Sequence, residues 1–319
     1  MSIFNLAVIL MGFSVLEPGF CCTIQDLGRR GYQHQGVTQG GAIDEYSFRW
    51  ANRLVGNPDG AAALEITLGG LVLEAQREGE FAITGADLGA SINAVEIDAW
   101  RNYRVRAGDR ISFKTPRTGL RAYLSVAGGI LSPVMLGSRC VVMREQIGGL
   151  NNRGEMLKAG DYLPYETIKP YLQREVALRD IPNFEAELEL GVILGYQHRQ
   201  FTQLDTQRFF NSEYCLTAHV DRMGYRLDGP TLKPQTSGII SEGITLGAIQ
   251  VPADGKPIIL MSDRQTIGGY PKLGSVFSLD LYQLAQRGPG AKIRFVPKDI
   301  SIAQVQRTLF QRDLKYFRF

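Results

Sequence analysis

The stretch Leu64-Glu65-Ile66-Thr67-Leu68-Gly69-Gly70-Leu71-Val72-Leu73 holds two short strands with a double glycine between them. Apolar and polar side chains alternate over Leu64–Leu68, the period-2 pattern of a half-buried strand. Gly69-Gly70 supplies the turn, and Leu71-Val72-Leu73 sends the chain back. The same grammar continues at Phe81-Ala82-Ile83, Ser91-Ile92, Tyr103-Arg104-Val105, Ile111-Ser112-Phe113 and Arg121 to Val126. Turns at Gly79, Gly85, Gly108-Asp109 and Thr118-Gly119 part these runs. Short strands at even spacing with glycine turns predict a barrel or sandwich rather than a βαβ fold.

Upstream, Phe13 to Leu16 reads as the first strand, Leu16 to Gly19 as a turn and Thr23 to Tyr32 as a loop. Asp44 fits an N-cap. It precedes a helical stripe of Tyr46, Phe48, Trp50, Ala51, Leu54 and Val55 that Gly56-Asn57-Pro58 closes. Downstream, Gly128 to Asp161 is loop-rich, and Pro164 to Asn183 is charged and proline-punctuated. A second strand-rich region opens at Ala186, with Leu188 to Gly195 as its first strand and Phe201 to Phe210 as a short helix. Ile300 to Phe319 reads as a terminal helix with Ile302, Val305, Leu309 and Phe310 on one side. The expected organisation is an N-terminal extension (1–12), a first domain (13–165), a linker (166–185) and a second domain with a C-terminal helix (186–319). The fold class is mainly β with a few short helices.

The chain has 319 residues, 44% apolar and 21% charged, enough for a real core and unlike a disordered chain. Its net charge of +3 is too balanced to point to nucleic acid or a membrane surface. The apolar run Ile3 to Leu16 lacks a basic leader and a cleavage site, and Asn5, Gly12 and Ser14 interrupt it. A signal peptide or membrane span is not expected. Cys21, Cys22, Cys140 and Cys215 show no CxxC spacing, and only three histidines accompany them. Reduced thiols in a cytoplasmic protein without a metal site are the expectation.

The densest chemistry lies at Ser241-Glu242-Gly243-Ile244, Gly247 to Pro252 and Asp263-Arg264-Gln265-Thr266-Ile267-Gly268-Gly269-Tyr270-Pro271-Lys272. Ile258 to Met261 reads as a buried strand that runs into polar residues. Gly268-Gly269 then allows close approach or a positive φ. The plain alternative is a hairpin end held by an Asp263–Arg264 salt bridge. Asp221 and Arg222 read as a structural pair, and His219 as a strand histidine rather than a base. Glu65 stands between a buried acceptor and a site residue.

Further motifs accompany these segments. They are Gln25-Asp26-Leu27-Gly28-Arg29 with Gly31-Tyr32, Gly40-Gly41-Ala42-Ile43-Asp44, Ala51 to Asn57, Leu136-Gly137-Ser138-Arg139 and Asp221 to Leu227. In this order they resemble the allophanate hydrolase subunit 2 family, also described as the C subunit of 5-oxoprolinase, KipA-like or biotin-dependent carboxyltransferase-like proteins. The resemblance runs from about Phe13 to Phe295. It implies two cyclophilin-like β-barrel domains. It also implies a sister protein of the subunit 1 or KipI-like type and, in the bacterial 5-oxoprolinase, a separate lactam hydrolase subunit. Three activities follow from it, in order of preference. The first is a share in ATP-dependent hydrolysis of 5-oxo-L-proline to L-glutamate. The second is carboxyl transfer from a biotin carrier to urea or a related amide. The third is a KipA-like regulatory role against a KipI-like kinase inhibitor. Cys140-Val141 departs from the Ser-Thr of many members, Leu150 to Gly154 from a simple Gly-Arg, and Thr38 from a common proline.

Under that resemblance both chemistries act on a planar amide, which needs paired donors and acceptors and donors where charge develops. Gln39, Gln250 and Gln265 present both from one amide. Arg264 or Arg139 can hold a carboxylate bidentately. Glu242 and Asp263 can position or take a proton. Lys272 can set positive charge near an oxyanion or phosphate, and Tyr270 can pack on a ring. The expected catalytic set is Glu242, Asp263, Gln265 and Lys272. The expected substrate-binding set is Gln39, Asp44, Arg139, Gln250, Arg264, Thr266 and Tyr270, and no metal is expected. Gln39 to Asp44 and Asp263 to Lys272 are expected to line one cleft between the domains. No GxxxxGK[ST] and no biotin-carrier lysine hairpin occur. ATP is therefore expected at the level of the complex, biotin only on another chain, and no activity from this chain alone.

Overall fold

The computed structural model describes residues 12–165 and 171–316. The chain divides into two compact units. One takes the residues before Gly31 together with Gly40–Glu185; the other takes Gly31–Gln39 and the residues from Ala186 on.

The first unit is built from β1 (Gly12–Pro18), β2 (Cys21–Gln25), β3 (Ala63–Thr67), β4 (Leu71–Ala75), β5 (Gly79–Asp87), β6 (Ser91–Ile92), β7 (Val95–Glu96), β8 (Arg101–Val105), β9 (Arg110–Ser112), β10 (Thr118–Val126) and β11 (Tyr162–Pro164). They form a six-stranded sheet, β11-β1-β4-β9-β6-β7, and a five-stranded sheet, β2-β3-β10-β5-β8. Both sheets feed one core, with Phe13, Val15, Ile24, Leu64, Leu73, Phe81, Ile111 and Leu124 among its buried members. The turn between β3 and β4 demands glycine. Gly69 has φ 78°, and a Cβ there would lie 1.7 Å from the Lys114 carbonyl oxygen.

Several boundaries differ from the sequence reading: Gly79 and Gly85, expected at turns, lie within β5, and Thr118-Gly119 opens β10. β1 continues to Pro18, and the turn falls on Gly19 at φ 71°. The expected loop from Thr23 begins inside a strand, β2, whose Cys22 and Ile24 are buried. The helix Glu45–Leu54 follows Asp44 as read. The Asp44 carboxylate accepts from Ser47 N (2.9 Å), and the helix buries Phe48, Trp50, Ala51 and Leu54. Of the expected linker, residues 166–170 lie outside the described residues. The rest packs on the first unit: Val176 N donates to Trp100 O (2.9 Å) and Arg174 N to Asn102 Oδ1 (2.7 Å). Of the expected extension 1–12, only Gly12 is among the described residues.

The second unit comprises β12 (Leu188–Leu194), β13 (Glu213–Val220), β14 (Gly224–Asp228), β15 (Glu242–Gly243), β16 (Ala248–Gln250), β17 (Ile258–Leu260), β18 (Ile267–Gly268), β19 (Lys272–Val276) and β20 (Lys292–Pro297). Seven of these close a barrel in the order β12-β19-β16-β17-β14-β13-β20, while β15 and β18 pair as a short ribbon. Leu190, Val192, Tyr225, Ile249, Ile259, Ile293 and Phe295 are fully buried. The helix Gln203–Phe210 starts with a capping box of Thr202 and Asp205, and its Phe209 stacks on Phe295 at 4.4 Å. The terminal helix spans Ile300–Tyr316. Its Ile302, Val305 and Leu309 are exposed at 56%, 58% and 40%, and Ala303 is the buried contact. The apolar side read from the sequence therefore faces outward. Among the described residues, no helix is long and apolar enough to cross a membrane.

Candidate functional site

The residues from Ser241 to Lys272 gather on the outer face of the second barrel. Register places them there. Gln250 in β16 stands opposite Ile258 in β17 on one side and Lys272 in β19 on the other. Directly opposite residues on neighbouring strands share a face. The alternate positions Ile249 and Ile259 are fully buried. The β15–β18 ribbon crosses this face, with Ile244 packing on Ala248 and Leu260.

Gln250 is the central side chain. It is 2% exposed, and its Nε2 has no hydrogen-bond partner among the described residues. Its Oε1 accepts from Gln265 Nε2 at 3.4 Å. Both amides line a cavity of about 710 Å³, floored by Ile258 and Leu260, with Tyr270, His219 and Arg226 also in its wall. A buried amide donor without a partner costs stability, roughly 1–3 kcal/mol. It is the kind of group a ligand completes. Gly268 allows the ribbon to lie this close. Its φ is not left-handed. A Cβ there would fall 2.5 Å from Ile244 Cδ1 and 2.8 Å from Gln250 Nε2.

Glu242 and Lys272 meet as an ion pair beside a second cavity of about 230 Å³. Sequence reasoning named these two and missed their companions. The Tyr196 hydroxyl and Gln197 Nε2 (2.8 Å) both donate to Glu242, and Gln197 Oε1 accepts from Lys272 N (2.8 Å). The Lys272 hydrogen bond first, then that of Tyr196, holds the Glu242 carboxyl below its ordinary range. A carboxylate held down in this way is a weak base, and the geometry makes it a clamp on the ribbon. Tyr196 and Gln197 sit in a 3-10 turn far from the motif, Tyr196–Gln200, with nothing local to announce them.

Asp263 binds Arg222 through two bonds, Nε to Oδ2 and Nη2 to Oδ1, each 2.9 Å, and both residues are buried. Neither the Asp263–Arg264 bridge nor the Asp221–Arg222 pair read from the sequence forms the observed contact. Asp221 instead accepts from the backbone N–H of Met223 (2.7 Å) and Gly224 (3.0 Å). Arg264 is 7% exposed and donates to Ile244 O (3.2 Å), Met261 O (3.3 Å) and Gln39 Oε1 (3.4 Å). Burial pulls its pKa down to about 10, opposed by the nearby Asp263 charge. It stays protonated at neutral pH but is committed to the fold. Thr266 contributes its carbonyl to Ile244 N (3.0 Å).

Two further candidates belong to the first unit. Asp44 is fully buried and caps its helix, with Oδ2 also accepting from Ser47 Oγ (2.6 Å). Arg139 is set by Asp26, whose Oδ2 accepts the Arg139 N–H (2.6 Å) while Oδ1 accepts Ser138 Oγ (2.6 Å) and Gly28 N (2.8 Å). Cys140, where the resemblance leads one to expect serine, takes a bond from Arg29 Nη1 to its sulfur (3.0 Å). Glu65 accepts from Ile43 N (3.0 Å) and Tyr123 OH (2.7 Å), the buried-acceptor role. A further cavity of about 560 Å³ lies in this unit beside Trp100 and Phe184. Its Arg101 is already matched with Glu175 and Asp98. Among the described residues, no cluster of three or more His, Cys, Asp or Glu side chains could hold a metal.

Comparison with known proteins agrees with this architecture. The family model described as carboxyltransferase domain, subdomain A and B, matches residues 35–297. The C subunit of 5-oxoprolinase from Escherichia coli is 38% identical over 303 residues, covering 93% of this chain and 95% of that protein. The C subunit of 5-oxoprolinase from Haemophilus influenzae is 37% identical over 88% of this chain and 89% of its own length. Among solved structures, the Kluyveromyces lactis urea carboxylase superposes over 100% of this chain with a TM-score of 0.90 at 30% identity, and this chain spans 31% of that one. The chain belongs to the carboxyltransferase domain family, subdomains A and B.

Proposed function

We propose that this chain is a subunit of an ATP-dependent 5-oxoprolinase complex that hydrolyses 5-oxo-L-proline to L-glutamate. The names and near-complete coverage of its two bacterial relatives support the reading. The observation that carries it is the buried Nε2 of Gln250, without a partner among the described residues, on a side chain that lines a cavity with a second amide beside it. A lactam presents a carbonyl oxygen and an N–H on one edge. Gln250 Nε2 donates to that oxygen, and the free lone pair of Gln250 Oε1 accepts the N–H. Negative charge gathers on the lactam oxygen as the amide is attacked, and a fixed donor counts most there. Gln265 braces Gln250, and the Glu242–Lys272–Tyr196 clamp holds the ribbon over both.

The residues of this face do not fit ATP on their own. Lys272, beside the smaller cavity, is already paired with Glu242, and no phosphate loop is present in the sequence. We therefore assign ATP to the assembled complex. The partners are a sister subunit of the allophanate hydrolase subunit 1 or KipI-like type and a separate lactam hydrolase subunit, and this chain alone is inactive. Four cysteines outside any disulfide among the described residues suit a reducing, cytoplasmic setting.

A second reading is carboxyl transfer to urea or a related amide, with biotin delivered by another chain. The superposition on a urea carboxylase favours it. Co-expression with the sister and hydrolase subunits separates the two. ATP-dependent glutamate formation from 5-oxo-L-proline is the expected result. No glutamate, with urea-dependent carboxylation once a biotinylated carrier is added, would replace the first reading with the second.

A further inference from the structure

We infer that the outer row Arg226–Ile258–Gln250 selects amides that also carry a carboxylate, an inference that rests on the amide-site reading above. The row is a matter of register. Arg226 in β14 stands opposite Ile258 in β17, and Ile258 stands opposite Gln250 in β16. All three line the same cavity. The adjacent positions Tyr225, Ile259 and Ile249 are fully buried, which fixes the row on the outer side. Strand spacing sets the Gln250 and Arg226 backbones roughly 10 Å apart, with one apolar side chain between them.

The two ends of the row are chemically distinct. At one end is the Gln250 amide. At the other, Arg226 Nη2 donates to Asp254, while its Nε and Nη1 have no partner among the described residues. A guanidinium with open donors takes a carboxylate in two parallel bonds. His219 lines the same cavity, and its imidazole is likewise without a partner among the described residues. The cavity's own carboxylate, Asp221, directs Oδ1 at two backbone N–H groups. Gly224 stands opposite Leu260 in the next row, and a Cβ there would lie 3.2 Å from Ile258 Cγ2 and 3.3 Å from Leu260 Cδ2, so glycine keeps a further side chain off that apolar floor.

A ligand that satisfies both ends needs a planar amide and a carboxylate a few bonds away. A five-membered lactam with a carboxylate beside its nitrogen spans roughly 5 Å from carbonyl oxygen to carboxyl carbon. The lengths of the Gln and Arg side chains cover the remainder, and the ring methylenes lie over Ile258. Urea and bare lactams have only the first handle. The sequence reading assigned the carboxylate to Arg264 or Arg139. Arg264 is committed to backbone carbonyls, and Arg226 is the guanidinium in the cavity wall.

Calorimetric titration of the full chain with 5-oxo-L-proline and with 2-pyrrolidinone, the same ring without the carboxylate, tests the inference. The wild type should bind 5-oxo-L-proline at least tenfold more tightly. Arg226→Gln should abolish that difference and leave 2-pyrrolidinone binding unchanged. Asp254→Asn, which frees Arg226 from its ion pair, should keep the preference. No preference in the wild type, or equal loss of both ligands in Arg226→Gln, overturns the inference. So does equal damage from Asp254→Asn, since the ion pair would then account for the effect. Turnover by the co-expressed complex reports separately on the functional reading. A preference that persists in a complex inactive on 5-oxo-L-proline would sink that reading while leaving the carboxylate role standing.

Discussion

Arg222 and Asp263, 41 residues apart, form a two-bond ion pair beneath the surface of the second barrel. It ties the turn after β13 to the turn that follows β17. Breaking a buried pair from one side leaves an uncompensated charge and typically costs about 3–5 kcal/mol. Asp263→Asn and Arg222→Ala should each lower stability on that scale in urea denaturation. Asp263→Asn with native stability but lost turnover would return Asp263 to the chemistry.

Gln250→Leu should separate stability from function. The substitution removes a buried donor that has no partner and gives up a long 3.4 Å contact from Gln265. Stability should change by no more than about 1 kcal/mol in either direction. Turnover of the complex should fall on the order of tenfold or more, about 1.4 kcal/mol of transition-state stabilisation. Near-normal turnover would remove Gln250 from the site.

Gly268→Ala and Gly274→Ala should fail differently. A Cβ at Gly268 meets side-chain ends, Ile244 Cδ1 and Gln250 Nε2, so the ribbon shifts and ligand binding weakens while the barrel persists. A Cβ at Gly274 meets the backbone oxygen of Ile193 at 2.3 Å, where β12 and β19 pair. Overpacking of that kind costs about 1–3 kcal/mol. Thermal melts and ligand titrations on both variants distinguish the two; equal melting points would contradict the assignment.

The Glu242 clamp should weaken in acid. Its carboxyl is held below the ordinary value by Lys272 and then Tyr196. A depressed folded-state pKa gives stability that is present above the unfolded value, about 4.3, and is lost as pH falls through the folded value. The stability gap between wild type and Glu242→Gln should therefore be full near neutrality and close below about pH 4. In Lys272→Ala, carboxyl NMR should report a higher Glu242 pKa. An unchanged titration would mean that the ion pair does not form in solution.

Asp44 tests cap against site. Asp44→Ala should cost about 1 kcal/mol through the lost cap, and Asp44→Asn should largely restore it. Turnover in Asp44→Asn should stay near normal, because this buried carboxylate bonds Ser47 within its own unit. A large loss of turnover at native stability would place Asp44 in the site after all.

What the sequence revealed was local. Leu64–Leu68 alternates and is a strand. Asp44 precedes a helical stripe and caps it. The amide pair was visible as residue types, though not as a contact. What it hid was pairing over distance. Nothing near Asp263 points to Arg222, and nothing near Gln250 points to Ile258 or Arg226, because strand register is set by the closed barrel. Strand β2 escaped notice because Thr23 and Gln25 are themselves buried, so polarity did not alternate with exposure. The terminal helix carries a sound apolar stripe that faces outward, and periodicity cannot say what a stripe will meet.

Gly31–Gln39 groups with the barrel that otherwise begins at Ala186, and Thr38 Oγ1 donates to Arg264 O (3.2 Å). Inheritance follows contiguous nucleotides, and this barrel is not encoded contiguously. A gene split or recombination breakpoint near residue 185 would strand nine residues of one module in the other's reading frame. A cut at that point would part Thr38 from the Arg264 carbonyl it bonds, so an intact second barrel calls for residues from both sides of the break.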